Sequence, residues 1–183
     1  MTQRRLFLKS SILLASSSLS IPVFANTIAK TAAANPAERS LRLYNTHTGE
    51  SVRSVFWAEG EFIQDGLKDI NKVLRDHRNN QVAAMDPQLL LLLDQLNGKL
   101  GNNKELHIIS GYRSPESNAK LHANSDGVAK HSMHMDGKAI DIRLPGQDLK
   151  ILHKAAMSLR GGGVGYYADS QFVHMDTGRV RYW

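Results

Sequence analysis

The feature that most constrains the fold is a histidine and an aspartate seven residues apart, His134 and Asp141, with Gly137 between them. Residues 138–144 alternate between polar and apolar side chains, which is typical of a β-strand. Glycine allows the sharp turn that would bring the histidine back toward this strand. The stretch therefore predicts a turn followed by a strand, with both polar side chains close to the junction.

A second strand pattern, residues 172–176, contains His174 and Asp176. If His174 joins His134 and Asp141, the three side chains form an open zinc site that leaves one position for water. The sequence has no cysteine, so histidine and carboxylate groups must hold any metal. The alternative at this point is a polar surface turn whose aspartate pairs with a lysine.

Hydrophobic periodicity and turn residues outline the remaining elements. The pattern predicts a β-hairpin (41–45 and 51–57), helices at 62–78, 86–100 and 146–159, a short helix opening at Ser114, and strands at 106–110, 138–144 and 171–176. Strands that follow a hairpin and a pair of helices predict an α+β fold, with a small, mainly antiparallel sheet flanked by helices.

The first residues have the pattern of an export signal. Arg4 and Arg5 open the twin-arginine pattern R-R-x-F-L-K, and an apolar segment leads to small residues ending at Ala25. An ordinary secretory signal with a chance arginine pair is the alternative. We expect a signal peptide at 1–25, a flexible linker at 26–39 and one domain at 40–183. The expected location is the periplasm, with no stable membrane span after signal cleavage.

The net charge of +6 comes partly from this leader, which holds basic residues and no acidic ones. The rest of the chain is therefore only mildly basic. It has no basic patch interleaved with aromatic residues of the kind that binds nucleic acids. We expect no nucleic-acid partner.

Two further residues are candidates for chemistry. Arg113 follows the predicted strand 106–110, and an arginine there can bind a carboxylate bidentately or stabilise a developing oxyanion. An ordinary surface salt bridge is the alternative. Asp176 lies two residues after His174 and therefore on the same face of its strand. It can act as the general base or can orient the histidine.

Several motifs together resemble those of the zinc D-Ala-D-Ala peptidase-like (LAS) group, which also takes in lysostaphin-like enzymes and hedgehog. Within that group, the chain is similar to the YcbK-type murein endopeptidases, over residues 40–183. The motifs are S-G-Y-R-S at 110–114, S-x-H-x-x-G-x-A-x-D at 132–141, N-T-H-T-G-E at 45–50, G-G-V-G-Y-Y at 162–167, H-x-D-T-G at 174–178 and Trp183.

This resemblance implies a hedgehog/D-Ala-D-Ala peptidase-like fold and one Zn²⁺ per chain, held by His134, Asp141 and His174. It implies that Arg113 binds the substrate or polarises the scissile carbonyl. The implied activity is zinc-dependent hydrolysis of peptide cross-links in peptidoglycan, with the bond between two diaminopimelate residues favoured. The implied partners are peptidoglycan stem peptides, and protein partners are left open. A D,D- or L,D-carboxypeptidase and a non-catalytic, zinc-containing wall-binding module are the alternatives.

One position departs from the group's pattern. The dipeptidases carry a glutamate as the base three residues before the last histidine, where this chain has Gln171. Because an amide cannot accept the proton, another residue must do so. Asp176 is the first candidate, and Asp169 and His131 are the weaker ones.

Overall fold

The computed structural model describes residues 38–101, 104–125 and 127–183. The predicted signal peptide and most of the predicted linker lie outside these residues. The first described strand begins at Glu38, within the last two residues assigned to the linker.

Eight strands and four α-helices are found in the described residues. The strands are β1 Glu38–Asn45, β2 Ser51–Ala58, β3 Glu61–Phe62, β4 Leu106–Ser110, β5 Ala139–Arg143, β6 Gly163–Tyr167, β7 Phe172–Asp176 and β8 Arg181–Tyr182. The helices are α1 Gln64–Val73, α2 Pro87–Lys99, α3 Pro115–Ala123 and α4 Leu149–Leu159. None of these helices is long and apolar enough to cross a membrane.

The strands form one sheet in the order β3-β2-β1-β4-β5-β7-β6-β8. The α+β class is confirmed. The sheet is mixed, since β1 pairs with β4 and β6 with β8 in parallel while the other pairings are antiparallel. It is also larger than the small sheet expected, because the two-residue edge strands β3 and β8 are too short to leave a periodic signal.

The helix starts follow the residues that predict them. Asp86 accepts a hydrogen bond from the amide of Gln88 ahead of Pro87, and Ser114 accepts one from the amide of Ser117 ahead of Pro115. Both caps fix where a helix begins. At the start of α3, the Ser114 cap also fixes the direction in which the chain leaves Arg113.

Helix α1 is shorter at both ends than the predicted helix 62–78. At its start, Phe62 pairs with β2 as part of β3. At its end, the carbonyl of Leu74 accepts a hydrogen bond from the amide of Tyr112, and the chain then turns around the carboxylate of Asp76, which accepts from the amides of Arg78 and Ser114. These tertiary contacts outweigh the helical periodicity.

One face of the sheet forms the hydrophobic core with α1, α2 and α4. Its fully buried members include Leu43, Phe56, Ile70, Leu89, Leu93, Leu106, Ile140, Ile142, Leu152 and Val173. Because side chains alternate along a strand, the residues between them point to the opposite face. On β5 and β7, that face carries the polar residues Asp141, His174 and Asp176.

The opposite face carries two rows of residues that run across the strands. In the first row, Asp141 pairs with Ser110 on β4 and with His174 on β7, and His174 pairs with Gly165 on β6. The second row contains Ala139 and its partner Asp176. A register shift between Ile108 and Ser110 turns Ser110 from the core side toward this face, as β-bulges commonly do beside functional sites.

Candidate active site

The three predicted metal ligands meet on the polar face of the sheet. Asp141 and His174 lie directly opposite each other on β5 and β7, and His134 comes from a short 3-10 turn, Met133–Asp136, just before β5. Asp141 Oδ2 lies 3.3 Å from His134 Nε2, and Asp141 Oδ1 lies 2.8 Å from His174 Nδ1. One ligand atom from each residue lies within 4.8 Å of the other two.

Gly137 makes this convergence possible, as the sequence predicts. Its φ of 67° ends the 3-10 turn in the left-handed conformation, which costs glycine little. The turn packs closely against the backbone of Ala84, where a Cβ at position 137 would collide. The turn also brings the His134 carbonyl to the amide of Arg113.

Both histidines are oriented by hydrogen bonds from their outer nitrogens. His134 Nδ1 lies 2.7 Å from the carbonyl oxygen of Gly111, and His174 Nε2 lies 3.0 Å from Asp176 Oδ2. Since both partners are acceptors, these nitrogens carry the protons and donate. His134 Nε2 and His174 Nδ1 face Asp141 and are the nitrogens left to bind a metal in its place, the arrangement typical of metal-bound histidines.

The charges of the site also fit a cation. Burial raises the pKa of Asp141, but His134 and His174 outweigh this effect and hold that pKa well below its usual range. Burial lowers the pKa of His174, yet hydrogen bonds to Asp141 and Asp176 raise it overall. The three groups therefore stabilise positive charge between them. Two imidazoles and a carboxylate suit Zn²⁺ with one position open, so the residues present fit the metal that the sequence implies.

Asp176 lies behind His174 and is fully covered, with a side-chain exposure of 0%. Its Oδ1 accepts hydrogen bonds from the amides of Gly163 and Gly178 and from Arg181 Nη1, at 3.1, 2.8 and 3.0 Å. Its Oδ2 accepts from Arg181 Nη2 at 2.7 Å as well as from His174. Burial raises the pKa of Asp176, but these donors outweigh it and hold the pKa far below the ordinary value.

The space beside Ala139 is used by this network. The alanine is 0% exposed and pairs with Asp176 across the strands. The sequence suggests that a small residue here leaves room for substrate or solvent. In the structure, that room is closed and belongs to the interior behind the ligands.

Arg113 is not on the surface, since its side chain is only 11% exposed. Its Nη2 lies 4.0 Å from Asp141 Oδ2 and 3.4 Å from Ser110 Oγ, and its Nη1 lies 3.4 Å from Asn118 Oδ1. Within the described residues, its Nε has no hydrogen-bond partner. Burial lowers the pKa of Arg113, and Asp141 offsets part of that effect. A guanidinium whose Nη contacts are this long, in a residue that lines the cleft, can bind an anionic oxygen.

The ligands line a cleft of about 400 Å³. Arg113, Arg181 and Trp183 line it too, together with a loop segment that we define by its described residues 125 and 127–132. Lys130 is the described member of this segment that does not line the cleft, and His131 is one that does. His131 is exposed. Asp176, Asp169 and Gln171 are not among the lining residues. Of the three candidate bases, His131 is thus the one that borders the cleft.

Two residues of the site have no role in the sequence-based prediction: Arg181 binds Asp176, and Trp183 lines the cleft. Tyr167, which the sequence suggests as a residue that could line a substrate groove, also lines the cleft. The sequence contains one local signal for these residues. Arg181 and Trp183 are two positions apart, as are Gly163 and Gly165, so the members of each pair would share one face of a strand. The strand β8 is too short for that signal to be decisive.

Comparisons with known proteins agree with the geometry. The peptidase family described as peptidoglycan L,D-endopeptidase MepK (Peptidase_M15_2) matches residues 32–183. Peptidoglycan L,D-endopeptidase MepK of Escherichia coli K12 is 42% identical over 99% of this chain and 96% of its own length, and the Shigella flexneri protein gives the same values. The probable peptidoglycan L,D-endopeptidase MepK of Haemophilus influenzae is 44% identical over 81% of this chain and 80% of its own length.

No solved structure gives a significant match to the chain. The sequence relationship covers all the segments that carry the candidate ligands and Arg113, because the matched residues include the 3-10 turn, β4, β5 and β7. The chain therefore belongs to the peptidase family described as peptidoglycan L,D-endopeptidase MepK.

Proposed function

We propose that the chain is a zinc-dependent peptidoglycan endopeptidase that hydrolyses peptide cross-links between stem peptides. The observation that carries the proposal is the convergence of His134, Asp141 and His174 on one cleft, with both outer imidazole nitrogens already bonded. The name of the relatives, L,D-endopeptidase, supports a bond between an L and a D centre. A cross-link between two diaminopimelate residues contains such a bond and is the favoured substrate.

His134 Nε2, His174 Nδ1 and the Asp141 carboxylate would hold one zinc ion per chain. Bound there, zinc supplies a Lewis acid that polarises a carbonyl and lowers the pKa of water. The remaining steps belong to the protein's own side chains.

Arg113 binds the carbonyl oxygen as it gains negative charge, or a substrate carboxylate beside it. Its burial and the length of its Nη contacts strengthen that attraction, because few protein groups and little water compete for the guanidinium. As water attacks the carbonyl carbon, His131 accepts the water proton. His131 then returns this proton to the amine nitrogen when the C–N bond breaks.

Asp176 orients His174 in this proposal and does not act as the base. Its carboxylate accepts five hydrogen bonds and does not line the cleft. A buried carboxylate with so many donors is a very weak proton acceptor. The same contacts suit a residue that fixes the ring of a metal ligand.

A second candidate is a non-catalytic, zinc-containing wall-binding module. Asp141 is the single acidic residue lining the cleft among the described residues, and Gln171 stands where the dipeptidases have their base. A carboxypeptidase is less well supported. It needs a pocket closed around a terminal carboxylate, whereas exposed residues such as His131 and Trp183 border this cleft.

Digestion of purified, cross-linked muropeptide dimers by the zinc-loaded protein distinguishes these functions. An endopeptidase releases monomers, and a carboxypeptidase removes only a terminal residue. A wall-binding module leaves the dimers intact although it sediments with sacculi. Asp69→Ala, which changes an exposed carboxylate of α1, is the matched control for Asp141→Ala in each assay.

The remaining features of the proposal concern location and wider likeness. We propose that the chain reaches the periplasm by the twin-arginine route, with a signal peptide at 1–25, a linker at 26–39 and the peptidase domain at 40–183. The likeness of the domain to hedgehog and to D-Ala-D-Ala peptidases is part of the same proposal. The mixed sheet, with two of the three candidate ligands on adjacent antiparallel strands, supports it.

A further inference from the structure

Three aromatic side chains form a wall beside the metal ligands. Tyr167, Phe172 and Trp183 all line the cleft. Tyr167 and Phe172 stack at 4.5 Å with an interplanar angle of 19°, and the Trp183 ring lies 5.4 Å from the ring of His174. Any peptide whose scissile bond reaches the ligands must therefore pass close to Trp183.

Trp183 is held in place by several independent contacts. Its backbone extends the pairing of β8 with β6, since its carbonyl accepts from the amide of Tyr166 at 2.9 Å and its amide donates to Val164. Its indole Nε1 donates to the hydroxyl of Tyr167 at 3.0 Å. The guanidinium of Arg181 lies 4.9 Å from the ring centroid. A side chain fixed before binding loses little entropy when a ligand arrives.

The strand beneath the ring leaves space for it. A Cβ at Gly165 would lie 2.6 Å from the indole of Trp183, so only glycine lets the ring lie this close to β6. Gly165 is also the cross-strand neighbour of His174. The first row of the sheet therefore continues from Asp141 through His174 to Gly165, which has no side chain and leaves space for the indole of Trp183.

The indole is not simply part of the hydrophobic core. Trp183 is 48% exposed, and the core cluster does not include it. An exposed, rigid aromatic wall beside polar ligands is typical of a site that contacts a ligand.

The chemistry of the wall selects its ligand. It offers apolar ring surface and the Tyr167 hydroxyl, which accepts from Trp183 and so keeps its own proton to donate. The nearby charge of Arg181 is already neutralised by Asp176. Such a surface favours methylene groups over a carboxylate, and the carboxylates are left to Arg113.

We propose that Trp183, with Tyr167 and Phe172, forms a substrate subsite that binds the aliphatic side chain of the peptide next to the scissile bond. The identity of that side chain rests on the proposed function, in which it is the methylene chain of diaminopimelate. Trp183 is then a specificity-determining residue and not a support for His174.

The first test compares two substrates. One is the natural muropeptide dimer, and the other carries alanine in place of the diaminopimelate that supplies the scissile carbonyl, so that the cross-link itself is kept. We expect Trp183→Ala to raise KM for the natural dimer by about tenfold and for the shortened one by about twofold or less, because few methylenes remain to be buried. The zinc affinity should stay unchanged.

Tyr182→Ala is the matched control. Tyr182 is the neighbouring residue on β8, is 46% exposed and does not line the cleft, so its loss should leave both KM values unchanged. Equal losses on both substrates, or a weakened zinc affinity in Trp183→Ala, would overturn the proposal and make Trp183 a structural support.

A binding measurement separates this inference from the proposed function. The sequence has two tryptophans, and Trp57 lies on β2, which is separated from β6 by four strands in the sheet. In Trp57→Phe, the fluorescence of Trp183 should change saturably as muropeptide monomer is added to the zinc-loaded protein. That result without any dimer cleavage would contradict the proposed function alone. Cleavage of the dimer with no response from Trp183 would contradict the subsite alone.

Discussion

The two sides of the cleft are built in different ways. The strand side consists of Asp141, His174 and Trp183 with the strands that carry them, and each strand is paired with its neighbours. The loop side is the segment 125 and 127–132. Side-chain hydrogen bonds hold this segment in place. Asn118 Nδ2 donates to the carbonyls of Ala129 and Lys130 at 3.1 Å each. His122 Nδ1 lies 2.6 Å from the carbonyl of Val128.

In the proposed function, this difference separates two tasks. Metal ligands must hold their geometry within narrow limits, and paired strands with a bonded outer layer provide that. A group that passes a proton must reach a water and then an amine, so it benefits from a position on an exposed segment. The contrast predicts that substitutions on the strand side change metal binding, whereas those on the loop side change turnover or substrate binding and leave the metal in place.

The largest effect is expected for Asp141→Ala on the strand side. Removal of the carboxylate leaves two imidazoles and a buried arginine facing each other, so zinc should no longer bind tightly. Dimer cleavage should fall by about a thousandfold or more. Metal analysis of the dialysed protein, together with product release, checks this. Zinc content equal to that of Asp69→Ala would count against the ligand assignment.

The next effect is expected for His131→Gln on the loop side. The rate at saturating substrate should fall by about a hundredfold or more, as loss of a general base commonly causes, while the zinc content stays at the wild-type level. Lys130→Gln changes the exposed neighbour, which does not line the cleft, and should behave as wild type. A normal rate in His131→Gln would remove this histidine from the mechanism.

Asp176→Asn distinguishes the two roles that the sequence leaves open for this residue. As an orienting residue, Asp176 should affect zinc affinity, which we expect to weaken by about 10- to 100-fold. Saturating zinc should then restore most of the rate. A base would give the opposite pattern, with normal zinc affinity and a rate that excess zinc does not rescue. Asp169→Asn, an exposed aspartate outside the cleft, is the control.

The smallest effect is expected for Asn118→Ala. Asn118 is 2% exposed and joins the loop side to Arg113 through the contact with Nη1. Its loss should lower the free energy of unfolding by about 1–2 kcal/mol and raise KM severalfold, because the loop side is less well fixed. Amide hydrogen exchange should become faster at Lys130 and His131 and stay slow on β5 and β7. Equally faster hydrogen exchange on the loop side and on the strand side would show that the two sides of the cleft are not independent.

The strand side was largely predictable from the sequence, because alternation alone places His174 and Asp176 on one face and Asp141 beside Ala139. The turn at Gly137 and the caps at Asp86 and Ser114 are also local signals that the structure confirms. In these places, residues close in the sequence determine the geometry. No long-range contact is needed to predict them.

The features that the sequence does not predict depend on contacts between residues that lie far apart in the sequence. The end of α1 is set by the bond between Leu74 and Tyr112, and the environment of Asp176 is set by Gly163 and Arg181. The sequence shows that Asp176 is near His174, but it does not show that five donors surround the carboxylate. For that reason, the sequence-based choice of base and the structure-based proposal differ at this one residue.

Zinc titration of the metal-free protein, with dimer cleavage as the readout, tests the central claim most directly. The account predicts no cleavage without metal and a linear rise that ends at one zinc per chain, with no rise in Asp141→Ala. Full cleavage in the presence of a chelator, or cleavage that does not depend on added zinc, would contradict the claim that His134, Asp141 and His174 form the catalytic metal site.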